Sequence, residues 1–155
     1  MKRVVALAVL VAVAAGCGSA AATPRESVGV FMTRILREEI GGQWSKQWTE
    51  LHPGHQKLIT RSQYVACSRK MGTNVGTGRE TFRVLAVQNE AIHVRDVPQK
   101  TAKLVTISFT EPGVSALTYR LHAVDVGGHW AWILGDRFLA ALDKGRCLDG
   151  SPLRG

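Results

Sequence analysis

The chain reads as an α+β fold, helices in its first half and an antiparallel sheet in its second. Apolar residues recur every three or four positions up to about residue 71, then every second position from about residue 81. A run rich in Gly, Thr and Asn, residues 73 to 79, separates the two regimes. Within the helical half, the stretch from Trp48 to Cys67 carries a helix end, a break, a new helix start and a cysteine.

Three helices are expected. Thr23-Pro24-Arg25-Glu26 has a capping residue, a proline suited to the first turn and a carboxylate to close a capping box. Val28, Phe31, Ile35 and Leu36 then share a face until Gly41-Gly42 stops the helix. A shorter helix places Trp44, Trp48 and Leu51 on one side and breaks at Pro53-Gly54. Thr60-Arg61-Ser62-Gln63 repeats the capping-box pattern and opens a third, with Tyr64, Cys67 and Met71 on its face and Gly72 at its end.

The second half predicts strands at Thr81 to Gln88 and Ala91 to Val97, with Asn89-Glu90 as a hairpin or bulge between them. Thr101 to Thr110 alternates strictly, with Val105, Ile107 and Phe109 on one side. After the turn at Glu111-Pro112-Gly113, Leu117, Tyr119, Leu121 and Ala123 take one face of the next strand. Gly127-Gly128 turns the chain again, and His129 to Leu134 puts Trp130, Trp132 and Leu134 together. A helical turn or two, Asp136 to Leu142, precedes Cys147, and residues 148–155 are expected to be a disordered tail. No internal repeat is visible.

The N-terminus reads as an export address. Lys2 and Arg3 precede an unbroken small-apolar run, Val4 to Ala15, closed by Gly16-Cys17. That run falls short of the roughly 20 residues that cross a bilayer. Ala14-Ala15-Gly16-Cys17 resembles a bacterial lipobox, which makes residues 1–16 a lipoprotein signal peptide, Cys17 the lipid attachment site and residues 17–22 a short lipidated tether. The rival is an ordinary signal peptide that leaves Cys17 free or paired. Two acyl chains on one cysteine would give stable anchoring at the extracytoplasmic face of the cell membrane.

What remains is long enough for one domain, residues 23–147, with a sizeable core. The formal net charge of +8 is spread along the chain without a Lys/Arg block, which suits steering toward anionic lipid or wall polymer and not nucleic-acid binding. Of three cysteines, Cys67 and Cys147 are left once Cys17 is lipidated, and outside the cytoplasm an even remainder reads as a disulfide. The rival is a pair of buried thiols. Neither cysteine has a second Cys or a His at zinc-ligand spacing, so no metal and no cofactor are expected.

Trp48 with Leu51-His52-Pro53, then Tyr64 and Cys67, then Trp130-Ala131-Trp132 with Leu134 and Cys147, resemble secreted actinobacterial-type lipoproteins of the nuclear-transport-factor-two-like fold. The resemblance implies three N-terminal helices packed on a strongly curved sheet, forming a cone with a pocket. That superfamily hosts isomerases, cyclases, dehydratases and plain binding modules, so fold alone does not assign an activity. Ketosteroid-isomerase-like chemistry would need a carboxylate base and an oxyanion hole inside the cone. Tyr119 and Asp125 share strand parity but lie about 20 Å apart along an extended chain, and Asp96 sits near a strand end. No acid-base pair can be mapped, so catalytic residues are not assigned.

Among the five histidines, His52 is expected to support the break before Pro53, and His55 to be solvated in a loop. The tryptophans carry two readings. As stripes they pack helix on sheet; as a pocket, Trp44, Trp48, Trp130 and Trp132 with Tyr64 would line an apolar cavity. The expectation is therefore a lipid-anchored, non-catalytic module that binds a small apolar molecule or an envelope protein. The alternative is an enzyme using the cone for isomerase- or dehydratase-like acid-base chemistry.

Overall fold

The computed structural model describes residues 25–71, 78–149 and 153. The signal peptide, Cys17 and the tether lie outside them, as do Thr23 and Pro24. Among the described residues, four helical segments precede the sheet: α1 (Val28–Ile40), α2 (Trp44–Thr49), α3 (Pro53–Gln56) and α4 (Arg61–Met71). The sheet is β1 (Thr81–Ala91), β2 (Thr101–Glu111), β3 (Val114–Val126) and β4 (His129–Trp132), followed by α5 (Asp136–Asp143). The strands form an open antiparallel meander in sequence order.

Two helix starts differ from expectation. Ser27, not Thr23, precedes the first helical residue, and its hydroxyl accepts the Val30 N–H at 3.3 Å. Four segments replace three because Pro53 does more than break the chain. It opens a one-turn helix, with the Nδ1 of His52 capping the Gly54 N–H at 3.0 Å. The expected supporting role of His52 is thus met. The Thr60 capping box forms reciprocally: the Thr60 N–H reaches Gln63 Oε1 at 3.1 Å and the Gln63 N–H reaches Thr60 Oγ1 at 3.3 Å.

The expected strand at 91–97 is absent. β1 runs unbroken through Asn89-Glu90 to Ala91, with its bulge earlier, between Val84 and Ala86. Beyond Ala91 the chain leaves the sheet, turns at Asp96 (φ 58°) and returns where the Ile92 N–H bonds Lys100 O at 3.0 Å. Ile92 and Val97 are apolar because they cover the sheet's outer face, packing on Ala102, Val124, Ala131 and Ile133. Alternation and loop packing look alike over so few residues.

On the other face, α1 buries Phe31, Met32, Ile35 and Leu36 against Val105, Ile107 and Phe109 of β2. Each such side chain contributes roughly 1.5–3 kcal/mol by leaving water. A second cluster joins Leu51, Tyr64 and Cys67 to Leu134, Phe138 and Cys147. Cys67 and Cys147 are bonded there, their Cα atoms 5.2 Å apart and 80 positions apart in sequence. A loop of that length adds about 4.5 kcal/mol on the chain-entropy account.

The stretch from Trp48 to Cys67 sutures helices to sheet. The His52 N–H bonds Trp132 O at 2.9 Å and the Trp132 N–H bonds Glu50 O at 3.1 Å, so residues 50–52 run alongside β4. Gly54 passes so close to the outer loop that a Cβ there would sit 1.8 Å from Asp96 O. His55, expected in solvent, is fully buried. Its Nδ1 accepts the Leu134 N–H at 3.0 Å, which leaves the Nε2 proton to donate to Arg95 O at 3.0 Å. A short helix flanked by Pro and Gly looked like a loop in sequence; the tertiary bonds of one imidazole hold it inside.

Candidate functional site

A cavity of about 280 Å³ opens between the helices and the inner face of the sheet. Its walls come from six helices and strands and from the C-terminal segment. The second half of α1 supplies Ile35, Leu36 and Glu39, and α4 supplies Tyr64 and Met71. β3 adds Tyr119 and Leu121, and β4 adds Trp132. Leu134, Phe138 and Arg137 close one side, with Leu148 beyond the disulfide. Concave, mostly apolar walls with a few polar groups are what small-molecule sites share.

Gln47 on α2 is the frame of this site. Its backbone carbonyl accepts the indole N–H of Trp132 at 3.0 Å, and its side-chain amide donates to Ile35 O at 3.3 Å. Its Oε1 accepts the Tyr64 hydroxyl. Side chain and backbone of one buried glutamine therefore tie α1, α4 and β4 to one another. Tyr64 stands edge-on to Trp132, ring centroids 6.1 Å apart, and 6.2 Å from Phe138.

Burial pushes the Tyr64 phenol well above its usual range, and the nearby Glu39 carboxylate adds to that. Tyr119 is raised for the same two reasons in the same order. Both phenols are uncharged at neutral pH. Among the described residues that line the cavity, Glu39 and Arg137 carry charge; Glu39 is half-buried and Arg137 is exposed at the rim.

The five aromatic residues singled out in the sequence separate. Tyr64 and Trp132 line the cavity. Trp44 and Trp48 pack against the cluster around the disulfide, and the Trp48 N–H is taken by Ile59 O at 3.1 Å. Trp130 lies at the other end of the sheet, under the Arg25 guanidinium at 3.8 Å, with its N–H on Glu26 O at 3.0 Å. Asp125 is exposed there too, its carboxyl held below the usual range by Arg25 and by the Gly128 N–H. It takes no part in the cavity that Tyr119 lines.

Sequence reasoning missed Glu39. The signal was present: Val28, Phe31, Ile35 and Glu39 fall at i, i+3, i+7 and i+11, so a carboxylate continues the apolar stripe of α1. Gln47 was missed because an amide on a short helix carries no pattern of its own.

Other groups offer less. No cluster of three or more His, Cys, Asp or Glu able to hold a metal ion occurs among the described residues. No helix among them is long and apolar enough to cross a membrane. Comparison with protein-family models, with curated proteins and with solved structures finds no match to this chain.

Proposed function

We propose that this chain is an extracytoplasmic lipoprotein, anchored through Cys17, whose domain is a non-catalytic binding module for a small apolar molecule. The apolar cavity at Trp132, held open by the buried Gln47 frame, is the observation that carries the binding role. Anchoring rests on the signal-like N-terminus ending in Ala15-Gly16-Cys17 and on a Cys67–Cys147 bond suited to an oxidising compartment. In this reading the sheet curls into the cone-like pocket of the nuclear-transport-factor-two-like fold, with the cavity as its mouth. Arg25 begins the described domain beside the β3–β4 turn, so a tether from Cys17 would bring that end toward the membrane and leave the cavity at the other end of α1.

A titration of tryptophan emission against small apolar molecules tests the binding role. Saturable quenching or a blue shift, lost when Leu121→Trp fills the cavity, is the expected outcome; a flat response to the whole set sinks it. Intact mass of the membrane-extracted protein tests the anchor, which fails if Cys17 carries no diacylglycerol.

Glu39 beside Tyr119 on an apolar wall supports a second reading, acid-base catalysis, in which the carboxylate takes a proton from carbon and a phenol faces the developing oxyanion. Deuterium uptake by cyclic ketones in heavy water, abolished by Glu39→Gln, would favour it over simple binding.

A further inference from the structure

We propose that the cavity takes the chain of a single-chain amphiphile whose anionic head rests outside it, in a cationic groove along α5. This rests on reading the cavity as a binding site for an apolar body and adds the chemistry of the head. The two hollows adjoin: Arg137 and Leu148 border both the cavity of about 280 Å³ and a groove of about 310 Å³ on α5. Lys144 and Arg146 complete the groove's charged lining. Leu148 is 42 % exposed, so apolar surface continues from the cavity wall to the edge of the groove.

Helix electrostatics account for only part of this charge. Cations suit the carbonyl end of a helix, where Lys144 and Arg146 stand, but are unfavourable in the first turn, where Arg137 stands. Arg137 and Lys144 are seven positions apart, about two turns along one face of α5. Arg146 comes back beside them because the chain turns at Gly145 (φ 61°) and the Arg146 N–H bonds Ala141 O at 3.0 Å. All three cations are exposed, none makes an ion pair with a described residue, and no carboxylate lines the groove. Glu39 borders the cavity and not the groove, so the head is set apart from it. One exposed ion pair contributes little, but three cations around a single anion add, and salt weakens the sum. An ammonium head would meet three like charges in the same place.

Isothermal titration calorimetry on the purified full chain, at low ionic strength and below micelle formation, compares decanoate, decyl phosphate, decanol and decyltrimethylammonium. The anions should bind and the cation should be weakest. Arg137→Gln, Lys144→Gln and Arg146→Gln together should weaken decanoate about ten-fold and leave decanol within about two-fold, with far-ultraviolet circular dichroism unchanged. Added salt should likewise weaken decanoate and spare decanol. Leu121→Trp, which fills the cavity, should abolish decanoate binding; retention there places the anion in the groove alone and overturns the proposal. Unchanged decanoate affinity in the folded triple variant, or tightest binding by the cation, also overturns it, while bound decanol keeps the cavity as a site. Tighter binding of decyl phosphate than of decanoate assigns the head to a membrane lipid, and the reverse order assigns it to a free fatty acid; either order supports the proposal. Failure of decanol and both anions to bind removes the proposal and the binding role together.

Discussion

Trp130 and Trp132 project from the same face of β4, two residues apart, and stand in two hollows of nearly equal size, about 290 and 280 Å³. The hollow at Trp130 is walled by charges that satisfy one another. Arg34 reaches Glu26 and Glu50, each at 3.0 Å, and Arg25 covers the indole while pairing with Asp125. The hollow at Trp132 has apolar walls, a committed amide frame and one half-buried carboxylate. Volume alone does not make a site. What separates the two is the lining, charges paired across one hollow and apolar side chains around most of the other.

The largest expected effect comes from cutting what holds the Trp132 side together. Replacing Cys67 and Cys147 together by serine should lower stability by about 2–5 kcal/mol and release the segment bearing Leu148 from the cavity wall. Chemical denaturation against the oxidised protein measures it, and equal midpoints would contradict the account. Gly54→Ala comes next, at roughly 3 kcal/mol, because its Cβ would collide with the backbone of Asp96 and neither side can yield cheaply. Only a thermal melt within error of wild type is incompatible with that packing. Leu121→Trp should cost about 1–3 kcal/mol through crowding while leaving the Trp130 end unaltered. Its informative readout is loss of ligand response with a retained fold.

Acid should act through the suture between α3 and the sheet. Burial depresses the pKa values of His52 and His55, so the unfolded chain takes up protons that the folded one resists. Stability is fully present above the unfolded value of about 6.5 and is lost as pH falls from there toward the folded values. Protonating Nδ1 of His55 also removes the acceptor for the Leu134 N–H at the cavity's edge. Urea midpoints at pH 7.5 and pH 5 should differ, the lower pH being weaker, and His55→Gln should flatten the difference. The smallest effect belongs to Arg25→Ala. Exposed pairs contribute little, so the melt should barely move and ligand titration should be untouched.

Much of the fold was readable wherever a periodic pattern met a local chemical signal. Thr60 and Gln63 announce their helix because both halves of the capping box lie within four residues. The inward parity of Tyr119, Leu121, Trp130 and Trp132 holds because strand alternation admits no drift. The reading failed where an apolar residue serves something distant in sequence. Ile92 and Val97 look like a strand yet cover one. His55 looks solvated because its partners, Leu134 and Arg95, are 79 and 40 positions away. Trp130 and Trp132 share a face by parity, but parity says nothing of which end of the sheet is already filled by Arg25. Glu39 was legible in principle, as a charge on the buried stripe of α1.

The account rests on the Trp132 hollow being the place where a ligand enters. Indole N–H resonances report the two tryptophans separately: that of Trp132 is bonded to Gln47 O and that of Trp130 to Glu26 O. Titration with a small apolar molecule that changes tryptophan emission, with each signal assigned by Trp→Phe replacement, should shift the Trp132 resonance saturably and leave Trp130 in place. A ligand that moves Trp130 while Trp132 stays fixed would contradict it.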